Sequence, residues 1–510
     1  MKISKKWSWW CMKYILACLT GFISLILPFQ TFAIWWLYHW DNMVTNFSLA
    51  SGVFMMLIMF LVITLVATEK VHRTLVVFFI AASLIFLNYT FGYFIPELRF
   101  LSLEQAFLSI DGEVIVLLVG MMMLVWVLSQ TRLFEWIAVK MFEFSQGNIL
   151  MLFFSFFIIT AVFSAFLDNV TTIFLITPVA IAIAKIFEIN PIRLVIPMII
   201  ASNIWGAATL IWDPPNIMIG SYAWLTFNQF LFNLWLPIIV ISAIIMISLY
   251  IIMGKELRNT KKIKNFHKTV DALKVQYPIK HKKLLIACLS VFTFVIVFFF
   301  LHGFFDMPAA VPAIMWAALL MLIRDRLIRR RYGGTQECRD LMEHRIHNTF
   351  SKDIEWLVIG FFVFLFMIVG AVEHTWLLHL VAMYIQDTFG DNLLLCALAL
   401  LWLAAIFSTI LDNIPFTAVM LPVVASLVQF YADQWFDATF LWWSLAFWAC
   451  FWWNWSLIGA SANLVAAGIL EKEKYYLSFM EFFKLSFPLM ILQVSLASIA
   501  IYMMYLGTYS

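Results

Sequence analysis

The chain has 510 residues, which as soluble protein would make three or four domains of about 150 residues each, yet 64% of it is hydrophobic, only 12% is charged, and mean hydropathy is +0.96. Soluble domains are about 45–50% apolar and about 25% charged, so too few charges remain to cover a watery surface. The composition excludes a soluble enzyme, a nucleic-acid binder and a disordered scaffold, and it makes the chain an all-α polytopic membrane protein. The net charge of +3 matters less than where the charges fall.

An apolar run of about 17–25 residues crosses the hydrocarbon core as a helix. Such runs lie at 14–38, 49–67, 75–97, 113–130, 194–225 and 229–253, then at 284–303, 307–323, 354–371, 440–470 and 479–506, about 11 crossings in all. Two longer apolar stretches, 149–188 and 392–430, each carry an Asp-Asn pair near the middle. Each reads either as two full spans or as a re-entrant hairpin that enters and leaves on one side. Segment 131–147, with Leu133, Phe134, Trp136, Ile137, Met141 and Phe142 between charges, reads as an interfacial amphipathic helix.

The basic residues orient these spans. Loop 254–283 holds ten basic residues against two acidic ones, and loop 324–352 holds eight against four. With the N-terminus and its Lys2, Lys5, Lys6 and Lys13 cytoplasmic, 31 of the 32 basic residues fall inside and only Arg99 outside. That is the bias expected of cytoplasmic loops, and it puts the C-terminus outside. A cleavable leader ending at Thr31-Phe32-Ala33 is a minor reading that leaves the rest unchanged. The two basic loops read as solvated connectors, with 254–283 as the hinge between two halves.

The doubled stretches are related to each other. Ser164 to Thr172, which includes Asp168-Asn169 and precedes Pro178, matches Ser408 to Phe416, which includes Asp412-Asn413 and precedes Pro422, at an offset of 244. About 40 residues further on, each half has a polar, turn-prone segment inside an apolar span, Gly206 to Asn216 and Asn454 to Asn463. An odd number of spans separates the two stretches, so one enters from the cytoplasm and the other from outside. That is an inverted-topology repeat with two unwound helices. The domain reading is N-terminal helices over 1–104, repeat one over 105–253, a linker over 254–283 and repeat two over 284–506.

Asp213-Pro214-Pro215-Asn216 cannot continue a helix, because prolines remove donors and clash with the preceding turn. A break at membrane depth is tolerated where it is buried in protein or lines a watery cavity. A carboxylate near the bilayer centre costs roughly 2.5–3.5 kcal/mol on insertion scales. Asp168, Asp213 and Asp412 with amide and hydroxyl neighbours make a hard-oxygen cluster suited to Na+ or a proton. Helix capping is the plainer reading of each Asp-Asn pair, but it leaves the duplication unexplained.

The strings FLDNVTTIFLITPV, SNI-GAATLI-DPPNIMIGS, LDNIPFTAVMLPVV and LIGASANLVAAGI together resemble the ion transporter superfamily over roughly 105–470. The resemblance is closest to the branch holding the pink-eyed-dilution P protein. Arsenite permeases, NhaD-type Na+/H+ antiporters and citrate/dicarboxylate carriers are more distant. It implies scaffold helices, two opposed re-entrant hairpins and a homodimer with elevator-like transport. Family roles carried over put Asp168, Asn169, Thr171 and Thr172 on the first hairpin tip, and Gly206, Thr209, Asp213 and Asn216 on the first unwound loop. Asp412, Asn413 and Thr417 fall on the second tip, and Asn454, Ser456, Gly459, Ser461 and Asn463 on the second loop. The resemblance makes Asp168, Asn169, Asp412 and Asn413 the candidate Na+ ligands. The chain departs from the pattern where the family tends to glycine and it has Trp205, Trp212, Trp448, Trp452, Trp453 and Trp455.

The expected function is a secondary active transporter coupling Na+ or H+ to a small ion, with Asp168 and Asp412 alternating between proton and cation. An anion carrier for arsenite, citrate, dicarboxylates or another inorganic anion is the alternative, and a transport-inactive relative with a Trp-filled site is a third. Without an HExxH motif or a histidine near the aspartates, no catalytic residue is assigned. No cofactor is expected beyond the coupling ion. The expected partners are the lipid bilayer, the small-ion substrate and a second copy, with no nucleic acid, in a bacterial inner membrane. Among lesser features, Asp111, Glu113 and Glu355 read as helix-start residues, and Met121 to Met123 as apolar filling. His302 with Asp306, and His374 with His379, read as surface groups, and the six scattered cysteines as small core residues.

Overall fold

In lipid a chain this apolar satisfies its backbone by forming helices, and the secondary structure of the computed structural model is helical throughout its described residues. Those are 49–67, 71–95, 99–211, 213–258, 266–332, 354–375, 377–390, 392–407, 413–457 and 459–509. The expected span 14–38, the leader ending at Ala33, and residues Trp212 and Asp412 lie outside them.

The first half contains α1 (Leu49–Ala67), α2 (Arg73–Tyr89), the short α3 (Leu103–Leu108), α4 (Gly112–Ser129) and α5 (Leu133–Phe144). A hairpin follows, formed by α6 (Ile149–Ser164) and α7 (Asn169–Ile186). Next comes an interrupted helix in two pieces, α8 (Ile192–Gly206) and α9 (Pro214–Tyr222), and then α10 (Phe227–Arg258). A linking helix α11 (Phe266–Gln276) leads to α12 (Lys282–Leu301), α13 (Ala310–Tyr332), α14 (Trp356–Glu373) and α15 (Leu377–Phe389). The second hairpin is α16 (Leu393–Phe407) with α17 (Asn413–Asp433). The second interrupted helix is α18 (Phe440–Phe451) with α19 (Ser461–Lys472), and α20 (Phe479–Tyr509) ends the chain.

Four consecutive helices, α4 to α7, start at the same offset of 244 from α14 to α17, and α9 and α19 start 247 apart. The packing repeats in the same way. α4 packs on α13 while α14 packs on α2, and α5 packs on α7 while α15 packs on α17. α6 packs on α8 while α16 packs on α18. The hairpin helix of each half lies against the far piece of the other half's interrupted helix, α7 on α19 and α17 on α9. Exchanging the halves maps these contacts onto one another, as a two-fold relation requires. The correspondence reaches back to α1 and α2, which pair as α12 and α13 do. Close approach of α4 and α13 depends on Gly120, where an added Cβ would meet the Ala313 backbone at 2.9 Å.

Among the described residues eight helices are long and apolar enough to cross a membrane; six of them are expected crossings, and two, α7 and α17, are the second helices of the hairpins. The expected spans 194–225 and 440–470 are each split into two short pieces. The expected span 307–323 continues to Tyr332 and carries Arg324, Asp325 and Arg326, so the expected loop 324–352 begins inside a helix. Arg324 is buried there, 4.7 Å over the Trp126 ring and 3.2 Å from Asp325, a setting that takes up its charge.

Within the expected linker 254–283, the described helix α11 is docked. α11 packs on α5 through Lys274 Nζ, 2.6 Å from Glu143, and the Phe266 ring lies 5.1 Å from Phe142. Helix α5 itself buries Leu133, Phe134, Ala138, Val139 and Phe142 against the protein. His302 is buried, not a surface group. Its Nε2 accepts from the Phe227 N–H at 3.0 Å and its Nδ1 faces Met307 O at 2.9 Å, so those partners fix the Nδ1–H tautomer. Asp111 caps α4 through the Val114 N–H at 3.1 Å, whereas Glu113 accepts from Ala309 N–H at 2.8 Å and ties α4 to the start of α13.

Candidate substrate and ion site

The first hairpin tip is built by local rules. α6 ends at Ser164, and Asp168 begins α7 as its N-cap, its Oδ1 accepting from the Thr171 N–H at 2.7 Å. Asn169 is buried and turns inward, where its Oδ1 accepts from Ser164. The Ser164 hydroxyl also lies 2.7 Å from Ser202 O and 3.1 Å from Ser202 Oγ on α8. Tip and interrupted helix therefore touch. Gly206, the last residue of α8, is where they press hardest, since a Cβ there would lie 2.9 Å from Asn169 Nδ2. Thr209 adds a bond from its hydroxyl to Ala165 O at 3.1 Å.

Interrupting a helix orphans the carbonyls of its first piece. In the first half Asn216 Nδ2 donates to Gly206 O at 3.0 Å and to Thr209 O at 3.1 Å. In the second half Asn463 Nδ2 donates to Trp453 O at 2.8 Å and to Ser456 O at 2.9 Å. The same carboxamide thus reaches ten and seven residues back in both. Each carboxamide oxygen is approached from the other half: Asn203 Nδ2 lies 3.1 Å from Asn463 Oδ1, and Cys450 Sγ lies 3.9 Å from Asn216 Oδ1. Asn203 also donates to Asn454 Oδ1 at 3.0 Å, and Asn454 Nδ2 donates to Gln493 Oε1 at 2.9 Å. Cys450 donates to Asp213 Oδ2 at 2.9 Å.

The second tip joins the same network, with Asn413 Nδ2 donating to Ala449 O. The sequence-predicted residues Asn169, Gly206, Thr209, Asp213, Asn216, Asn413, Asn454, Ser456 and Asn463 are thereby brought together, all of them buried. Thr172 and Thr417 are buried beside them, and their hydroxyls make no hydrogen bond among the described residues. Thr171 and Gly459 are half-buried, and Ser461 is exposed and outside the network. Ser164, Ser202, Asn203, Cys450 and Gln493 belong to the site and were not expected there. The Ser202-Asn203 pair, polar within an apolar span one turn before Gly206, was a readable signal. Cys450 had only its 247-residue offset from Asn203.

The tryptophans divide into two kinds. Trp205 faces away from the site, bonded to Ser242 on α10 at 2.9 Å, and Trp455 packs edge-on to Phe483 and Phe487 of α20. Trp448, Trp452 and Trp453 are buried, and their indole N–H groups find no acceptor among the described residues. The Trp448 ring lies 4.2 Å from that of Phe416, just past the second tip. At the other end of α9 a cavity of about 240 Å³ is lined by Tyr222, Glu373, His379 and Pro422, among others.

Two interrupted helices crossing between two helical hairpins make this a membrane transporter by architecture. Residues 63–335 and 341–448 match the family of citrate transporters (CitMHS), and the chain belongs to that family. Among proteins it is similar to is an uncharacterized transporter of Mycobacterium tuberculosis, 34% identical over 442 residues that make up 86% of this chain and 96% of the relative. The P protein of Mus musculus is 31% identical over 506 residues, 85% of this chain and 58% of that longer protein. The YdaH transporter of Alcanivorax borkumensis, a crystal structure with an unusual topology, matches with a TM-score of 0.53 and 14% identity over 84% of this chain and 98% of its own. That last likeness is one of fold alone. The family is one of transporters, not enzymes.

Proposed function

We propose that the chain is a secondary active transporter that couples Na+ or H+ to the movement of a small ion. The observation that carries this reading is the crossing of two interrupted helices, each packed against the hairpin helix of the opposite half. Half-helix ends and freed backbone groups at such a crossing bind ions and substrate in many secondary transporters. The exchanged contacts support an inverted-topology repeat with 149–186 and 393–433 as re-entrant hairpins. Asp168, Asp213 and Asp412 are the carboxylates at hand for a coupling ion. The homodimer, the cytoplasmic N-terminus, the outside C-terminus and the bacterial inner membrane belong to the same proposal, supported by the lysine and arginine distribution and the family resemblance.

A second reading, an anion carrier, is favoured by the buried donors of Trp448, Trp452, Trp453 and Asn169 Nδ2. An indole N–H donates only, so this set suits a ligand rich in acceptor oxygens, such as the citrate for which the family is named. The deciding experiment is collapse of an imposed pH gradient in sealed vesicles on addition of Na+, Li+ or K+. Collapse by a cation supports antiport. No response to any cation sinks antiport, and uptake of citrate, dicarboxylates and arsenite then separates an anion carrier from a chain whose tryptophans have closed the site.

A further inference from the structure

The two ends of the exchanged helices are built from like parts and completed differently. At the end of α19, the Glu473 carboxylate and the Tyr475 ring share one ammonium. It is that of Lys185 at the end of α7, 2.5 Å from the carboxylate and 5.9 Å over the ring. At the end of α9 a carboxylate and a tyrosine again face one space, Glu373 and Tyr222 in the wall of the cavity of about 240 Å³. The residue of α17 at the place of Lys185, 244 further on, is Gln429, which bonds to Asp433 of its own helix at 2.7 Å. Among the described residues no lysine or arginine lines the cavity. Its titratable groups are Tyr222 on α9, Glu373 on α14 and His379 on α15, and α17 contributes only Pro422, Ala425 and Ser426.

Elementary electrostatics calls for a positive charge in this space. Both α9 and α14 end at it, at Tyr222 and Glu373, and neither has a basic residue in its last turn. A helix C-terminus carries about half a negative charge and favours a cation, so the carboxylate of Glu373 is set against its own helix. The repeat does not require it. The counterpart of Glu373, 244 residues back at the end of α4, is Ser129, whose hydroxyl donates to Trp126 O at 2.7 Å. At the 247-residue offset of the breaks, which pairs Gly206 with Trp453 and Asn216 with Asn463, the counterpart of Tyr222 is Ile469.

Tyr222 Oη lies 3.5 Å from Glu373 Oε1, beyond the roughly 2.5–3.0 Å of an O–H···O hydrogen bond. It is the separation of two oxygens at right angles around one hard cation with bonds of about 2.3–2.6 Å. The space leaves room for such an ion to keep several waters, each of about 30 Å³. Glu373 is exposed, so an ion reaches it from water.

We propose that this cavity binds a hard alkali cation such as Na+, with Glu373 as its carboxylate ligand and Tyr222 as a second oxygen ligand. The ion takes the place that the Lys185 ammonium has at the other end. Tyr222 lies eight residues past Pro214, and Pro422 nine past Asn413. The ion therefore stands about 12–14 Å from the helix breaks, along two helices that begin there. Its further role as the point of entry for the coupling ion rests on the cation-coupled reading; the binding itself does not.

The test uses the full chain in sealed proteoliposomes, with Ala425→Cys in the cavity wall as reporter and the parent chain as background for the native cysteines. Labelling by a water-soluble maleimide is timed in NaCl and in choline chloride of equal strength. Na+ slows labelling of the reporter. Glu373→Gln raises the half-protecting Na+ concentration about tenfold or more, the scale of one lost bond to a charged group, while its labelling in choline is unchanged. Tyr222→Phe raises it about 2- to 10-fold, and Glu373→Asp keeps the protection. Equal labelling in the two salts overturns the site, and so does full protection in Glu373→Gln. Flux is read separately, and Glu373→Gln raises its half-saturating Na+ concentration. Flux that ignores Na+ while Na+ still protects the reporter sinks the cation-coupled reading and supports the site. Na+-driven flux without protection sinks the site alone.

Discussion

The two helix breaks share one set of hydrogen bonds and differ in what surrounds it. Around the first, the chain has Gly206, Asp213 and a serine pair; around the second, it has Trp448, Trp452, Trp453 and Ala460. What is common to both, the bridging carboxamides of Asn216 and Asn463, serves the orphaned carbonyls that any interrupted helix leaves. What differs is free of that duty, and the proposed function assigns it to the substrate and the coupling ion. The largest expected effect comes from attacking the common part. Asn216→Ala and Asn463→Ala each strand two buried carbonyls and a donor from the other half, a loss of about 3 kcal/mol or more. Thermal unfolding in detergent checks this, and similar losses at the two positions are expected. A large loss at one and none at the other breaks the equivalence.

Gly206→Ala comes next. A Cβ there lies 2.9 Å from Asn169 Nδ2, so the carboxamide must move away from Ser164, and overpacking of this kind costs typically about 1–3 kcal/mol. The equivalent Trp453 accommodates its own bulk, so Trp453→Phe is expected to unfold at nearly the wild-type temperature. If Gly206→Ala matched wild type in unfolding and in flux, the close contact between tip and break would have no consequence.

The differing part is probed by Trp448→Phe, Trp452→Phe and Trp453→Phe, which keep a ring and remove an N–H that has no acceptor among the described residues. Because a buried donor without a partner is itself unfavourable, stability should hold or rise slightly. If these donors meet substrate oxygens, apparent affinity for an oxyanion falls about tenfold, the equivalent of one hydrogen bond near 1.4 kcal/mol. Unchanged affinity for every anion tried removes the support these residues give to the anion reading.

The duplication was legible in the sequence because proline, glycine and paired Asp-Asn are punctuation that an apolar span cannot hide. Asp168, Asn169 and Asn216 were singled out that way, and the described helices end at Ser164 and Gly206 and resume at Asn169 and Pro214 beside them. The partners that complete the site were not legible. Cys450 reads as one more small apolar residue, and only the exchange of contacts between halves places it against Asp213. Hydropathy likewise could not separate Arg324 from a solvated connector, because the aromatic face of Trp126 that receives it lies some two hundred residues upstream. The docking of α11 was missed for the same reason: the partners of its Lys274 and Phe266, Glu143 and Phe142, lie over a hundred residues upstream.

That anchor gives a pH-dependent prediction. Lys140 and Lys274, at 2.8 Å and 2.6 Å, hold the Glu143 carboxyl below the usual carboxylate range. A carboxyl lowered in the folded state stabilises above its unfolded pKa of about 4.3 and loses that stabilisation as pH falls through the lower folded value. Docking of α11 on α5 is therefore expected to hold at neutral pH and to loosen in acid. Hydrogen-exchange protection of 266–276, corrected for intrinsic rates, should fall below about pH 4, and Glu143→Gln should abolish the dependence.

The smallest effect on stability lies at the paired ends of the exchanged helices. At the end of α7, Lys185 meets Glu473 just past α19 at 2.5 Å and lies 5.9 Å over the Tyr475 ring. The counterpart contact of α17 with α9 has the Tyr222–Glu373 cavity instead. Both partners of the ion pair are about half exposed, so Lys185→Met should cost no more than about 1 kcal/mol. Its consequence is local: without the pair, the end of α7 can part from α19 and open a cavity like the one at the other end. A cysteine placed at Ile469, the counterpart of Tyr222 at the 247-residue offset, should then label faster with a water-soluble maleimide in the Lys185→Met background. Unchanged labelling, or a stability loss well above 1 kcal/mol, would mean that the pair supports the fold and does not close one end of it.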